Sequence, residues 1–316
     1  MILIFEVKIL GCNSASFAFG RHHTAQVVNS NQNLFLVDCG EGTQLRMLRH
    51  QIRFNRIQHI FISHMHGDHY LGLMGLIFTL QLQGRTDDLF IFGPAGLDEI
   101  ITLQLRMSES VLNYRIHFQR IESGGQLLFE NEDIQIHSMT MNHRIPCFGF
   151  VFAEKKRKYK LLRDRLPQTL GREDLLQLKE GMDVTDQEGK TWLNSELTIP
   201  PPQPRTYVYA ADTRVLDRHC PEVEQCELLY HEATFTSDMQ ERAMATFHST
   251  AAEAAEFARK HHVQKLILGH FSSRYQDVQP ILSEATRIFS NTILAVEGQT
   301  FEVPLPQKEV SHAIHS

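Results

Sequence analysis

The run Ile60-Phe61-Ile62-Ser63-His64-Met65-His66-Gly67-Asp68-His69 limits what this chain can become more than any other stretch. Strand-forming apolar residues are followed at once by three histidines and an aspartate within six residues, and a glycine between them lets the backbone turn sharply. His64 and His66 are two apart, so in extended backbone they point to one side, while Asp68 and His69, past the glycine, can face a neighbouring point. One loop can thus serve two ions. Imidazole and carboxylate at this density suit divalent transition metals better than a solvated surface loop.

The rest of the chain supplies a frame for such a loop. At 316 residues it is long for one domain and short for three, which predicts one large α/β domain with an insertion. Strands are expected over Ile2 to Leu10, Ala25 to Asn29, Leu34 to Val37, the stretch before His64, Leu89 to Phe92, Ile134 to Met139 and Phe148 to Phe152. Helices are expected from Thr43 to His50, from Leu71 to Leu80 and from Gly96 to Ser108. At about 154–205 the composition changes. Lys155-Lys156-Arg157-Lys158-Tyr159-Lys160, then Arg163 and Arg165, form the most basic stretch, and Pro200-Pro201-Pro202 closes what reads as an inserted arm rather than a solvated linker. The final residues, Gln307 to Ser316, read as a disordered tail.

From Tyr207 the α/β rhythm returns. Tyr207 to Ala210 is a strand ending on Asp212, Leu228 to Tyr230 one ending on His231-Glu232, and Leu266 to Leu268 one ending on Gly269-His270. Thr250 and Glu253 have the spacing of a capping box opening an alanine-rich helix to about His262, which sets His248 at a helix mouth. Counting the strand before His64, four strands end on metal-capable side chains, at the edge where α/β sheets assemble sites. The ligands divide between two ions: His64, His66 and His143 for the first, Asp68, His69 and His270 for the second, with Asp212 bridging because a carboxylate has two oxygens. His143 is the weakest member by spacing alone, since it stands singly after a strand. Two ions about 3.5–4 Å apart acidify a shared water and clamp both oxygens of an in-line displacement, as phosphodiester hydrolysis requires.

Composition excludes other classes. A formal net charge of -6 argues against a body that coats nucleic acid, although a local basic element can still do so. Cys12, Cys39, Cys147, Cys220 and Cys226 form no C-x-x-C pair and no even framework, so they read as reduced thiols of a cytoplasmic protein. No stretch approaches eighteen apolar residues and the N-terminus lacks a basic leader, so neither membrane spanning nor export is expected.

Ser63 to His69, S-H-x-H-G-D-H, resembles the signature loop of the metallo-β-lactamase superfamily, whose fold is an αββα sandwich with a dinuclear site at one edge. Ala211-Asp212-Thr213 is similar to G-D-T, His231-Glu232-Ala233-Thr234 to H-E-A-T, His248-Ser249-Thr250 to H-S-T, and His270-Phe271-Ser272-Ser273-Arg274-Tyr275 to H-x-S-x-R-Y. In this order they resemble the ribonuclease Z family, endoribonucleases that trim the 3′ end of precursor tRNA. The resemblance runs from about Val7 to Val303. Near the start it thins, and of P-x-x-x-R-N only Arg21 is kept. It implies two Zn(2+) per chain, a homodimer, and a basic arm that grips precursor tRNA away from the cut. It also implies in-line attack by a metal-bridging hydroxide, leaving a 3′-hydroxyl on the tRNA and a 5′-phosphate on the trailer. On that polarity Asp68 accepts the proton of the attacking group, while His248, held by Glu232, protonates the departing ribose oxygen. The alternative is a small-molecule metallohydrolase of the same fold, a cyclic phosphodiesterase or arylsulfatase, which would have no use for Lys155 to Arg165. An inert tRNA-binding protein would have no need of every ligand.

Overall fold

A computed structural model describes residues 3–210, 212–216 and 219–306. The expected strand start at Ile2, Ala211 of the Ala211-Asp212-Thr213 run and the tail from Gln307 lie outside them. The chain divides into two compact units, Met1–Ala153 with Arg205–Ser316, and Glu154–Pro204.

The larger unit is built on two seven-stranded sheets. The first runs, in spatial order, Thr300–Glu302, Phe5–Gly11, Ala25–Ser30, Asn33–Val37, Ile57–Phe61, Leu89–Gly93 and Ile116–Arg120. It is antiparallel as far as Asn33–Val37 and parallel beyond. The second runs Thr292–Leu294, Leu266–Gly269, Leu228–Glu232, Thr206–Ala210, Phe148–Glu154, Ile134–Thr140 and Leu127–Glu130, and its first four strands are parallel.

Side-chain alternation explains why the sheets stack. Phe35, Val37, Phe61 and Phe92 point into a core shared with Phe148, Phe150, Phe152, Tyr207 and Tyr209 of the second sheet. Their neighbours Leu36, Ile60, Ile62 and Ile91 point the other way, onto the helices Thr43–Arg49, Leu73–Leu82 and Leu97–Met107. A strand apolar on both faces can be buried only between two layers. Phe61 shows what holds the sheets together, with ring centroids 4.7 Å from Phe92 on its own sheet and 5.4 Å from Phe150 on the other. Truncating such a side chain to alanine costs about 3–5 kcal/mol. The helices Ala251–Lys260 and Gln279–Thr286 cover the second sheet through Ala251, Ala254, Ala255, Phe257, Ile281 and Ala285. The result is the expected αββα sandwich.

Glu154–Pro204 has a small core of its own, in which Leu178, Val184 and Leu197 are buried with Leu161, Leu166, Leu170, Leu175 and Trp192 packed against them. Two short sheets pair Lys160–Leu161 with Thr198–Ile199 and Val184–Thr185 with Thr191–Trp192. Asp186 knots the second pair, accepting from Trp192 Nε1 at 3.0 Å and from the amides of Glu188 and Lys190. Seven of the ten basic side chains of this unit fall within residues 155–165, against the single acid Asp164. Lys156, Lys158, Lys160, Arg163 and Arg165 are exposed.

Among the described residues no helix is long and apolar enough to cross a membrane. All five cysteines are buried.

Candidate metal centre

The parallel strands of both sheets deliver their C-terminal ends to one place. Cys39 N–H donates to the His69 carbonyl at 2.7 Å and Gly72 N–H to the Cys39 carbonyl at 2.9 Å, which clamps the histidine loop to the end of Asn33–Val37. The approach demands glycine at 72, since a Cβ there would sit 2.1 Å from the Gly40 carbonyl oxygen. Gly67 makes no sharp turn. It opens the short helix Gly67–Tyr70, and no left-handed backbone is needed there. Those conformations occur instead at Asp38 (φ 55°) and His270 (φ 57°), each just past a strand, where the chain bends and turns a side chain inward.

His143 arrives by pairing. Arg214 N–H donates to the Asn142 carbonyl at 3.0 Å, and Asn142 N–H to Thr213 Oγ1 at 2.9 Å, which sets His143 beside Asp212. His66 Nδ1 lies 3.0 Å from His64 Nε2 and 3.2 Å from His143 Nε2. On the other side His69 Nε2 lies 3.3 Å from His270 Nε2, and both nitrogens are 3.5 Å from Asp68 Oδ2. Asp212 stands between the groups. Its Oδ2 faces His64 Nε2 at 3.6 Å, while its Oδ1 faces His270 Nε2 at 3.1 Å and His69 Nε2 at 3.4 Å.

Hydrogen bonds behind the rings decide which nitrogen is free. Asp38 Oδ2 accepts from His69 Nδ1 at 2.7 Å, from Ser63 Oγ at 2.9 Å and from Tyr209 Oη at 2.6 Å, and its Oδ1 accepts from Ser63 N–H at 2.8 Å. Ser63 Oγ, having given its proton to Asp38, accepts from His64 Nδ1 at 3.0 Å. The Phe247 carbonyl accepts from His143 Nδ1 at 3.0 Å, and Thr234 Oγ1 from His270 Nδ1 at 3.0 Å. All four rings therefore present a bare Nε2 inward, and His66 presents Nδ1. Lone pairs this close repel unless a cation sits among them, and the buried Asp212 Oδ1 accepts no hydrogen bond. The donor set fits divalent ions.

Burial works against charge on His64, His66, His143, Asp68, His69 and Asp212. It prevails at His64, His66 and His143, whose pKa values all fall. At Asp68 and Asp212 neighbouring imidazoles outweigh it, His69 first for Asp68 and His270 first for Asp212, and hold both carboxyls well below the usual range. Those three histidines are thus biased neutral and the two carboxyls ionised, as metal binding requires. His69, facing Asp212, Asp68 and Asp38, is raised in spite of its burial, a bias that a cation among those carboxylates reverses.

Neither residue of the His231-Glu232 strand end joins these groups. His231 packs against Phe257 and bonds the Glu232 carbonyl at 2.7 Å. Glu232, fully buried, accepts from Thr213 N–H at 2.8 Å and Thr234 Oγ1 at 2.6 Å, and its Oε1 lies 2.8 Å from His248 Nδ1. Burial disfavours the His248 imidazolium, but Glu232 overrides it and its pKa is pushed up to about 9. Thr250 and Glu253 form the capping box that holds His248 just ahead of the helix.

A curated ribonuclease Z from Cytophaga hutchinsonii is 41% identical over 314 residues, covering 99% of each chain. The chain belongs to the ribonuclease Z family. The human tRNase Z, short form, superposes with a TM-score of 0.67 at 24% identity, covering 95% of this chain and 100% of its own. A metallo-beta-lactamase fold protein from Bacillus subtilis superposes at 0.68 with 18% identity, covering 95% and 100%. Both share the fold. Residues 5–163 match the family model described as Anti-Pycsar protein Apyc1, so the first half of the chain belongs to that family as well. That half holds the histidine loop and His143, but not Asp212, Glu232, His248 or His270. A ribonuclease Z relative aligned over 314 residues spans all of them and the arm.

In this ribonuclease Z family member, sequence alone does not single out Asp38, and it names Ser63 and Thr234 only as members of their motifs, without a role. Asp38 carries the signal used elsewhere, an acid just past the apolar run Leu34 to Val37. Thr234 closes the His231-Glu232-Ala233-Thr234 run, but its part in holding His270, brought to it from 36 residues away, is not legible there. Arg21 ties the opening loop to the closing one, donating to Asn13 Oδ1 at 2.9 Å and to the Tyr275 carbonyl.

Proposed function

We propose that this chain removes the 3′ trailer from precursor tRNA as a two-zinc endoribonuclease, leaving a 3′-hydroxyl on the tRNA and a 5′-phosphate on the trailer. One observation carries the reading: two groups of donors share Asp212, one oxygen turned to each, in a chain that aligns with a curated ribonuclease Z over 99% of its length. His64, His66 and His143 would hold one ion, Asp68, His69 and His270 the other, and an imidazole-rich set favours zinc over magnesium. When bound, the pair supplies an acidified water and a clamp on the phosphate.

This chain's own residues do the rest. Asp68, whose Oδ2 accepts the Ala15 N–H at 2.8 Å, lies between His69 and His270 and takes the proton of the attacking water. The departing ribose 3′-oxygen is a poor leaving group, and His248, charged at neutral pH and held by Glu232, donates a proton to it. Exposed Lys156, Lys158, Lys160, Arg163 and Arg165 of the arm bind tRNA phosphates. The protein works as a homodimer in the cytoplasm. The test is incubation with a precursor tRNA bearing a 3′ trailer and sequencing of both product ends. A cyclic phosphate on the tRNA end, or an intact precursor with small phosphodiesters cleaved, would refute the reading.

A further inference from the structure

We propose that His219, Glu224 and His261 form an additional, structural binding site for a zinc-like transition-metal ion. Each offers a ligand atom, and the three atoms lie within 4.8 Å of one another. The site is separate from the centre described above. His248 precedes the N-terminus of helix Ala251–Lys260, whereas His261 caps its far end, roughly 15 Å away at 1.5 Å per residue.

His261 supplies the observation that points to a ligand. It is 1% exposed, and its Nδ1 donates to the Phe257 carbonyl at 2.9 Å, so the proton sits on Nδ1. Nε2 is left with a bare lone pair, buried and without a hydrogen-bond partner. A buried acceptor in that state is unfavourable unless a donor or a cation meets it. The local fold places two further donors beside it. Cys220, Val223 and Cys226, three apart, are buried, which anchors the segment and leaves His219 and Glu224 on its exposed side. Gln225 N–H donates to the His261 carbonyl at 2.8 Å and holds that segment on the helix end. The His219 and His261 rings are 6.3 Å apart and nearly parallel. Two imidazoles and one carboxylate, with water completing the shell, suit zinc, cobalt or nickel and not calcium or magnesium. The ion would fasten the helix end to the segment that begins at Asp212.

The test uses zinc chloride as the probe. Wild type, His219→Ala and Glu224→Gln are equilibrated at low micromolar free zinc, passed through a desalting column and analysed for metal. Wild type is expected to hold one equivalent more than either variant and to melt at a higher temperature with zinc, while all three cleave precursor tRNA at the same rate. The readout is a difference between proteins sharing one catalytic centre, so it stands whatever that centre holds. Equal metal content in all three, or an extra equivalent that survives in His219→Ala, overturns the proposal.

Discussion

Asp38 touches no candidate ligand atom that faces the centre, yet it should govern metal affinity. Its two oxygens accept four hydrogen bonds, and the one from His69 Nδ1 at 2.7 Å keeps the His69 Nε2 lone pair aimed at Asp68, Asp212 and His270. Asp38→Asn preserves volume and tolerates the left-handed backbone, which asparagine adopts readily. Its amide must face either Ser63 N–H or the three donors on the other side. The first choice keeps three bonds and leaves one buried donor unpaired, at about 1–3 kcal/mol of stability. The bond to His69 then loses its charge and about half its strength. Asp38→Ala removes the acceptor altogether and frees the ring to place its proton on Nε2. Loss of an outer hydrogen bond of this kind lowers metal affinity about 10–100-fold, or about 1.4–2.7 kcal/mol. The assay is cleavage of precursor tRNA against free zinc set by a chelator buffer, with a thermal melt at saturating zinc to show that the fold persists. Asp38→Ala should need the higher zinc concentration and Asp38→Asn should fall between. A folded Asp38→Ala protein with the wild-type zinc dependence would refute the argument.

Four further expectations can be measured directly. His248→Ala should slow cleavage of precursor tRNA by roughly 10²–10⁴-fold but cost a nitrophenyl phosphodiester far less, because nitrophenolate leaves without a proton; equal losses with metal content unchanged would remove the acid role. His248 is pushed up to about 9 and acts in its protonated form, so activity should hold below that pH and fall as pH rises through it; Glu232→Gln should move this alkaline limb downward, and an unmoved limb would mean that another group titrates. Replacing Lys156, Lys158, Lys160, Arg163 and Arg165 by alanine should weaken tRNA binding and flatten its salt dependence, by about 0.7–0.9 in log–log slope for each phosphate no longer neutralised, with small phosphodiesters still cleaved. Asp212→Ala, compared with its parent in a His219→Ala background so that only the centre is counted, should lower the metal content from two ions per chain, and a content of one in both proteins would end the shared-carboxylate reading.

What the amino-acid order settled alone is what depends on neighbours along the chain. The expected strands at Ala25 to Asn29, Leu34 to Val37 and Phe148 to Phe152 formed within a residue or two, because both faces of each are buried and the apolar run is unmistakable. The Thr250–Glu253 capping box was equally legible, since a cap is satisfied three residues away. Ile116–Arg120, Leu127–Glu130 and Thr300–Glu302 are not legible in the sequence, because they are half-exposed strands of three to five residues at sheet edges, too short for a periodicity to stand out. Helix Gln279–Thr286 was unread as well, because the sheet it covers is assembled from strands far off in sequence. At the centre, the order of residues named the side chains that converge, but not how they are held. That His69, His64, His270 and His143 offer Nε2 depends on Asp38, Ser63, Thr234 and the Phe247 carbonyl standing behind the rings. Those partners come from separate strands and loops, and a hydrogen bond of about 3 Å between them exists only once the two sheets have stacked.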